Sequence, residues 1–231
     1  PDPGYPPHFS YRLETMATPL IPLSTAHHRT QGWARPSGCQ FAAADTVAPL
    51  LLAELPAALA EFPVAFLRQA QRKPQLVAIT GLQPRQSLMV DAAGRWLAGY
   101  MPACYRAWPF TLNRVSAEDA RMALCFNNRD GLLRQQPDAA KGEQRFFDDD
   151  GKPTPVTDKL VQFLQTSVTN ALQTQAAVDA LDAEGLLAPW PGLDGLLRVD
   201  ETGLAKLDAP QLQALRDANA LPLAYAQLLS M

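Results

Sequence analysis

The chain has 231 residues, 47% of them hydrophobic, and a nearly balanced charge of 20 Lys and Arg against 23 Asp and Glu, for a formal net charge of −3. That is enough apolar content for one substantial core, and with no basic run to track a phosphate backbone it argues against a nucleic-acid partner. No apolar run approaches the roughly 20 residues that a membrane-crossing helix needs, which excludes a helical permease. Residues 1–15 are Pro- and Tyr-rich without periodicity and read as an appended or flexible arm, with Met16 as a natural start. Residues 19–37 read as an extended, turn-rich lead-in carrying His27, His28, Arg29 and Trp33.

From Asp45, read as an N-cap, Val47, Leu50, Leu51, Glu54, Leu55, Ala58, Leu59 and Phe62 have the spacing of an amphipathic helix. Pro63 would stop it, and Pro56 must kink or split it. Residues 64–67, 76–79 and 87–90 are short apolar runs between polar turns, the pattern of adjacent antiparallel strands, and residues 95–99 could add another. Pro102 opens a helical turn holding Cys104, Tyr105 and Trp108, which ends at Pro109. Residues 122–126 and 132–134 read as strands flanking a loop whose Asp130-Gly131 end signals a hairpin. Residues 135–145 read as a surface loop. Thr154 as N-cap and Pro155 at the first helical position predict a long helix to Gly185, with a thin apolar stripe that allows a break in its middle. A strand over 195–199, a helix capped by Asp208 with Leu212 and Leu215 inward, and an apolar helix over 221–231 complete the chain. The expected architecture is one α+β domain over residues 16–231, a mainly antiparallel sheet packed with a long helix and a C-terminal helical segment.

Cys39, Cys104 and Cys125 are odd in number, widely spaced and set among apolar neighbours, so they read as reduced thiols and favour a cytoplasmic address. His27 and His28 are adjacent, so on an extended chain their rings point to opposite sides, a poor start for a two-histidine metal site. The 148–151 run Asp-Asp-Asp-Gly has the composition of a calcium loop but lacks its spacing and terminal Glu, and a solvated turn before the Thr154 cap is the stronger reading. No phosphate-binding glycine loop and no serine-nucleophile elbow occurs. The expectation is no catalytic constellation, no metal and no cofactor.

The most distinctive stretch is 94–110, where Trp96, Tyr100, Tyr105, Trp108 and Phe110 crowd together with Arg95 and Arg106. It is either core packing beneath a sheet or a recognition surface, and its two arginines need solvent, a carboxylate or a ligand at its edge. The candidate binding residues are Arg95, Trp96, Tyr100, Tyr105, Arg106 and Trp108, with His28 and Arg29 from the lead-in. As a docking patch these residues would hold a protein partner. As the alternative, His28 and Arg29 folded against the same block would make a small-ligand, metal or enzyme site. Oligomeric state is open.

His28-Arg29, Phe41-Ala42-Ala43, Ala53-Glu54-Leu55-Pro56 through Phe62-Pro63-Val64, Gly81-Leu82-Gln83-Pro84, the Gly94 to Tyr100 and Tyr105 to Phe110 passages, Phe147-Asp148 with Asp150-Gly151-Lys152, Pro189-Trp190 and Leu221-Pro222-Leu223-Ala224-Tyr225-Ala226 together carry a resemblance. On these passages the chain resembles the bacterial SapC family of surface-layer-associated proteins, from about Pro22 to the C-terminus. The resemblance implies a soluble accessory protein and brings no catalytic signature. Members also resemble proteins encoded near TonB-dependent receptors and flavin-dependent halogenase-like proteins. That implies a protein partner in a surface-layer or outer-membrane uptake system.

Overall fold

The computed structural model describes residues 20–70, 72–114 and 121–231, so the arm read over residues 1–15 lies outside the described residues. In chain order the elements are β1 (Leu20–Pro22), α1 (Thr25–His28), β2 (Gly32–Trp33), β3 (Val47–Pro49), α2 (Leu55–Ala58), β4 (Val64–Leu67) and β5 (Gln75–Ile79). There follow α3 (Ala103–Arg106), β6 (Phe110–Arg114), β7 (Met122–Asn127), β8 (Leu133–Arg134), β9 (Gln144–Arg145) and α4 (Pro155–Ala183). The chain continues through β10 (Leu187–Pro189), β11 (Leu196–Val199), α5 (Glu201–Leu204), α6 (Ala209–Asp217) and α7 (Ala220–Leu229). All described strand pairs are antiparallel, in three sheets of order β10-β11-β4-β5-β3, β1-β7-β6 and β8-β2-β9. The protein is α+β, as its sequence pattern predicts.

Among the described residues the two largest apolar cores are joined by one helix. The first lies between the five-stranded sheet and the helices, with Val64, Phe66, Leu76 and Leu197 meeting Ala177, Val178 and Leu181 of α4 and Leu223 of α7. The second gathers Trp33, Phe110, Phe126 and Phe146 around Leu164, nearer the start of α4. Trp33 stacks on Phe146 at 5.2 Å, and Phe110 and Phe126 meet edge-on at 5.2 Å, the offset geometries that aromatic quadrupoles favour. Thr154 caps α4 by accepting from Thr157 N and also donates to Arg145 O at 3.0 Å. The helix runs unbroken for 29 residues, because its thin apolar stripe changes partner along its length rather than running out.

At the far end, Gln227 of α7 is fully buried. Its Oε1 accepts from Val199 N at 2.8 Å and its Nε2 donates to Val64 O at 3.2 Å, while Ser230 Oγ accepts from Val64 N at 3.0 Å. The β11–β4 pairing stops at Leu197 opposite Phe66, and the Gln227 amide takes the place of the missing rung.

Several local expectations are corrected. The helix expected over 45–62 is instead β3, a short 3-10 turn (Leu52–Glu54) and the one-turn α2. Pro49 is tolerated because β3 is the edge strand, and Pro56 lies in the first turn of α2, where its missing N–H costs nothing. The strands expected over 87–90 and 95–99 reduce to a single bridge between Val90 and Trp96. The 127–131 turn is closed by Gly131 N donating to Asn128 O, but its flanks join different sheets, β7 with β1 and β6, and β8 with β2. The 135–145 loop contains a 3-10 turn (Ala139–Lys141) and β9. His27 and His28 sit on α1 rather than on an extended chain, their rings edge-on at 6.2 Å. Leu215 is buried, whereas Leu212 is exposed.

Candidate functional site

The 94–110 segment crosses from one core to the other, with Trp96 and Tyr105 packed in the first and Ala107 and Phe110 in the second. Its start is fixed by a tight turn. Gly94 has φ +78°, and a Cβ there would overlap the Gln40 side chain, so only glycine lets the turn close on the start of a 3-10 turn (Gln40–Ala42), where Cys39 N donates to Gly94 O at 2.7 Å. Arg95, on the exposed side of that turn, pairs with Asp91 at 2.7 Å. The aromatic rings then turn inward. Phe41 stacks on Trp108 at 5.2 Å, Trp96 meets Tyr105 edge-on at 5.5 Å, and Trp96 Nε1 donates to Tyr100 O at 2.9 Å.

At the centre stands Glu54, whose side chain is only 4% exposed. Its Oε2 accepts from Leu51 N at 2.9 Å, and its Oε1 accepts from Ala103 N at 2.6 Å and from the Tyr100 hydroxyl at 2.7 Å. Arg106 completes the group. Its Nη2 donates to the Tyr100 hydroxyl at 3.2 Å and lies 3.7 Å from Glu54 Oε1, and its guanidinium covers the rings of Tyr100 and Phe163 at 5.6 and 5.1 Å. A buried carboxyl with two backbone donors and a hydroxyl is satisfied, and removing its partners would leave it costly. The arginine is tied down at its base yet its side chain stays 45% exposed.

Asp45 forms a second polar point. Its Oδ2 accepts from the Tyr105 hydroxyl at 3.1 Å, and burial, partly offset by that bond, pushes its carboxyl up to about 6. Burial, then the Glu54 hydrogen bond, pushes Tyr100 up to about 12, and burial likewise raises Tyr105. The Cys104 thiol, donating to Pro49 O at 3.6 Å, is raised well above the ordinary range by burial and then by Glu54 and Asp45; burial also raises Cys39 and Cys125. Burial thus favours the protonated form of these hydroxyls and thiols.

The lead-in goes elsewhere. Arg29 donates to Asp149 O, and Thr25 Oγ1 donates to Gly151 O at 3.2 Å, so α1 docks on the 148–151 turn. That turn is closed by Asp148 N donating to Lys152 O and by Lys152 N donating to Asp148 Oδ1, both at 2.8 Å. His28 is buried with its Nδ1 3.2 Å from Ser24 N. Among the described residues no group of three or more His, Cys, Asp or Glu is placed to hold a metal ion.

Thus Trp96, Tyr100, Tyr105, Arg106 and Trp108 come together, Arg95 lies on the neighbouring turn, Arg29 joins the 148–151 turn and His28 turns back on Ser24. Sequence reasoning gave Glu54 and Asp45 places on an expected helix rather than at this site, and did not single out Phe163. The available signal was Glu54 itself, a lone charge within the apolar run from Val47 to Leu59.

No curated protein and no solved structure matches the chain. The model of the SapC family matches residues 23–231, which include every residue of this site. The chain belongs to the SapC family.

Proposed function

We propose that this SapC-family protein is a non-enzymatic accessory protein that docks a protein partner of a surface-layer or TonB-dependent outer-membrane uptake system, with Arg106 as its anchor. The supporting observation is the seating of that arginine: its guanidinium lies over Tyr100 and Phe163, and the hydroxyl that fixes it is held by buried Glu54. Arginine is enriched among the residues that dominate protein interfaces, and one already held in place loses little side-chain freedom on binding. Its exposed face suits a carboxylate on the partner. Arg95, held by Asp91, would belong to the rim of such a contact. The reading includes a cytoplasmic address, supported by free Cys39, Cys104 and Cys125.

The test is recovery of bound protein by the immobilised chain from lysate of its own cells, beside Arg106→Ala. A partner held by the wild type and reduced at least about tenfold by a folded Arg106→Ala variant is expected. Equal recovery by the two would overturn the docking reading.

A further inference from the structure

The face of the five-stranded sheet turned away from the first core is also apolar. Ala65, Val77, Ile79 and Leu196 are buried there, with Val47, Leu67, Trp190 and Leu193 packed around them. An antiparallel sheet whose other face is already covered ordinarily gives this side polar residues. Across it runs a cleft of about 730 Å³, floored by Val47, Ile79, Leu67 and Leu196 and bounded by the 81–85 and 192–195 turns. Its volume falls in the range of small-molecule sites, and its lining is more apolar than polar.

The charges at this cleft are Asp45, Arg68, Arg85 and Asp194. Arg68 is ion-paired with Asp182, and Arg85 and Asp194 are exposed on the rims. Asp45 alone is partly buried in the wall. Its Oδ2 accepts from the Tyr105 hydroxyl, and the residue is among those lining the cleft. A carboxyl among apolar groups gains most from a donor that brings positive charge, and burial has already raised this one to about 6. The rim beside it is tightly built. Gly81 has no room for a Cβ, because Gln86 O would lie 2.0 Å away, and Arg85 holds φ +61°, a conformation unfavourable for a residue with a side chain.

We propose that this cleft binds a small amphipathic amine, with its apolar body on the Val47, Ile79 and Leu196 floor and its protonated amine at Asp45. On the rim the exposed Arg85 offsets Asp194, so the preference for an amine over a carboxylate rests on Asp45 in the wall. The site is separate from the Arg106 surface and does not depend on it. The hydrogen bond from Tyr105 and the charge Asp45 presents to Cys104 link it to the 94–110 segment.

The test uses amide-resolved NMR titration of the full chain with matched probes, phenethylamine against phenylacetate and hexylamine against hexanoate, with methylamine as the body-less control. The two amines are expected to shift signals of the 45–47, 79–85 and 192–196 backbone saturably at about millimolar concentration. The carboxylates and methylamine should not. Asp45→Asn keeps an acceptor for the Tyr105 hydroxyl and should weaken amine binding about tenfold in a folded protein. Equal binding of amines and carboxylates, shifts that do not saturate or lie elsewhere, or an Asp45→Asn variant that binds as well as the wild type would each overturn the proposal.

Discussion

Asp45 is a single carboxyl whose surroundings set a pH dependence for the whole protein. Its folded value of about 6 lies above the ordinary 3.8, so between the two the folded protein keeps a proton that the unfolded chain has released. Stability contributed by this group is therefore full below about pH 4, falls as pH rises to about 6 and is level above. Asp45→Asn should remove that slope and stabilise the protein at neutral pH by about 1–3 kcal/mol, read from urea unfolding at several pH values. An unchanged slope would show that the carboxyl is not held in its protonated form. At this scale the sequence showed that the two arginines of the 94–110 segment need partners, and Asp91, four residues from Arg95, was within reach of local reading. Glu54 was not, because two of its three donors come from residues 46 and 49 positions away. Spacing along the chain made Glu54 one more position on a helix that does not form.

Elements with local signals were legible, and those defined by distant pairing were not. The helix α4 announces itself through Thr154, Pro155 and the left-handed Gly185 just past its end, all features of the chain's own first and last turns. Thr154→Ala loses both the cap and the bond to Arg145 O, and is expected to cost about 1–2 kcal/mol, or about 2–8 °C in Tm for a chain of this size. Thr154→Ser should restore most of it, and equal melting of all three proteins would show the cap to be idle. In contrast, β3 exists because Val47, Ala48 and Pro49 lie opposite Ile79, Ala78 and Val77. Nothing within the 45–62 segment reports that partner, and its apolar spacing satisfies a helix equally well. The 127–131 turn misleads for the same reason: its residues encode the bend, but the sheet each flank joins is decided by β1, β2 and β6.

At the scale of the molecule, α4 belongs to both cores, through Ala177, Val178 and Leu181 at one end and Leu164 at the other, with Ala171 against Leu51 and Ala103 between them. A helix cannot keep one end while the other dissolves without losing the packing that holds it, since helical stability comes mostly from its buried face. The two cores should therefore open together. Hydrogen exchange of the β4–β5 and β6–β7 amides is expected to report one common opening free energy, matched by a single denaturant midpoint. Two distinct values, or two midpoints, would mean that α4 does not couple them. The α+β class and the long helix were readable from pattern. The division into two cores was not, because it depends on which neighbours each end of one helix meets.

The buried amide of Gln227 has a consequence for how α7 finds its place. Apolar contact is indifferent to small displacements, and a helix as oily as Ala220–Leu229 could slide or turn on the sheet with little penalty. An amide that must meet one N–H and one C=O on two different strands permits only one seating. Gln227 thus acts as a locating pin, giving α7 an address as well as an attraction, and a one-turn slip of the helix would strand three polar groups in the interior at once.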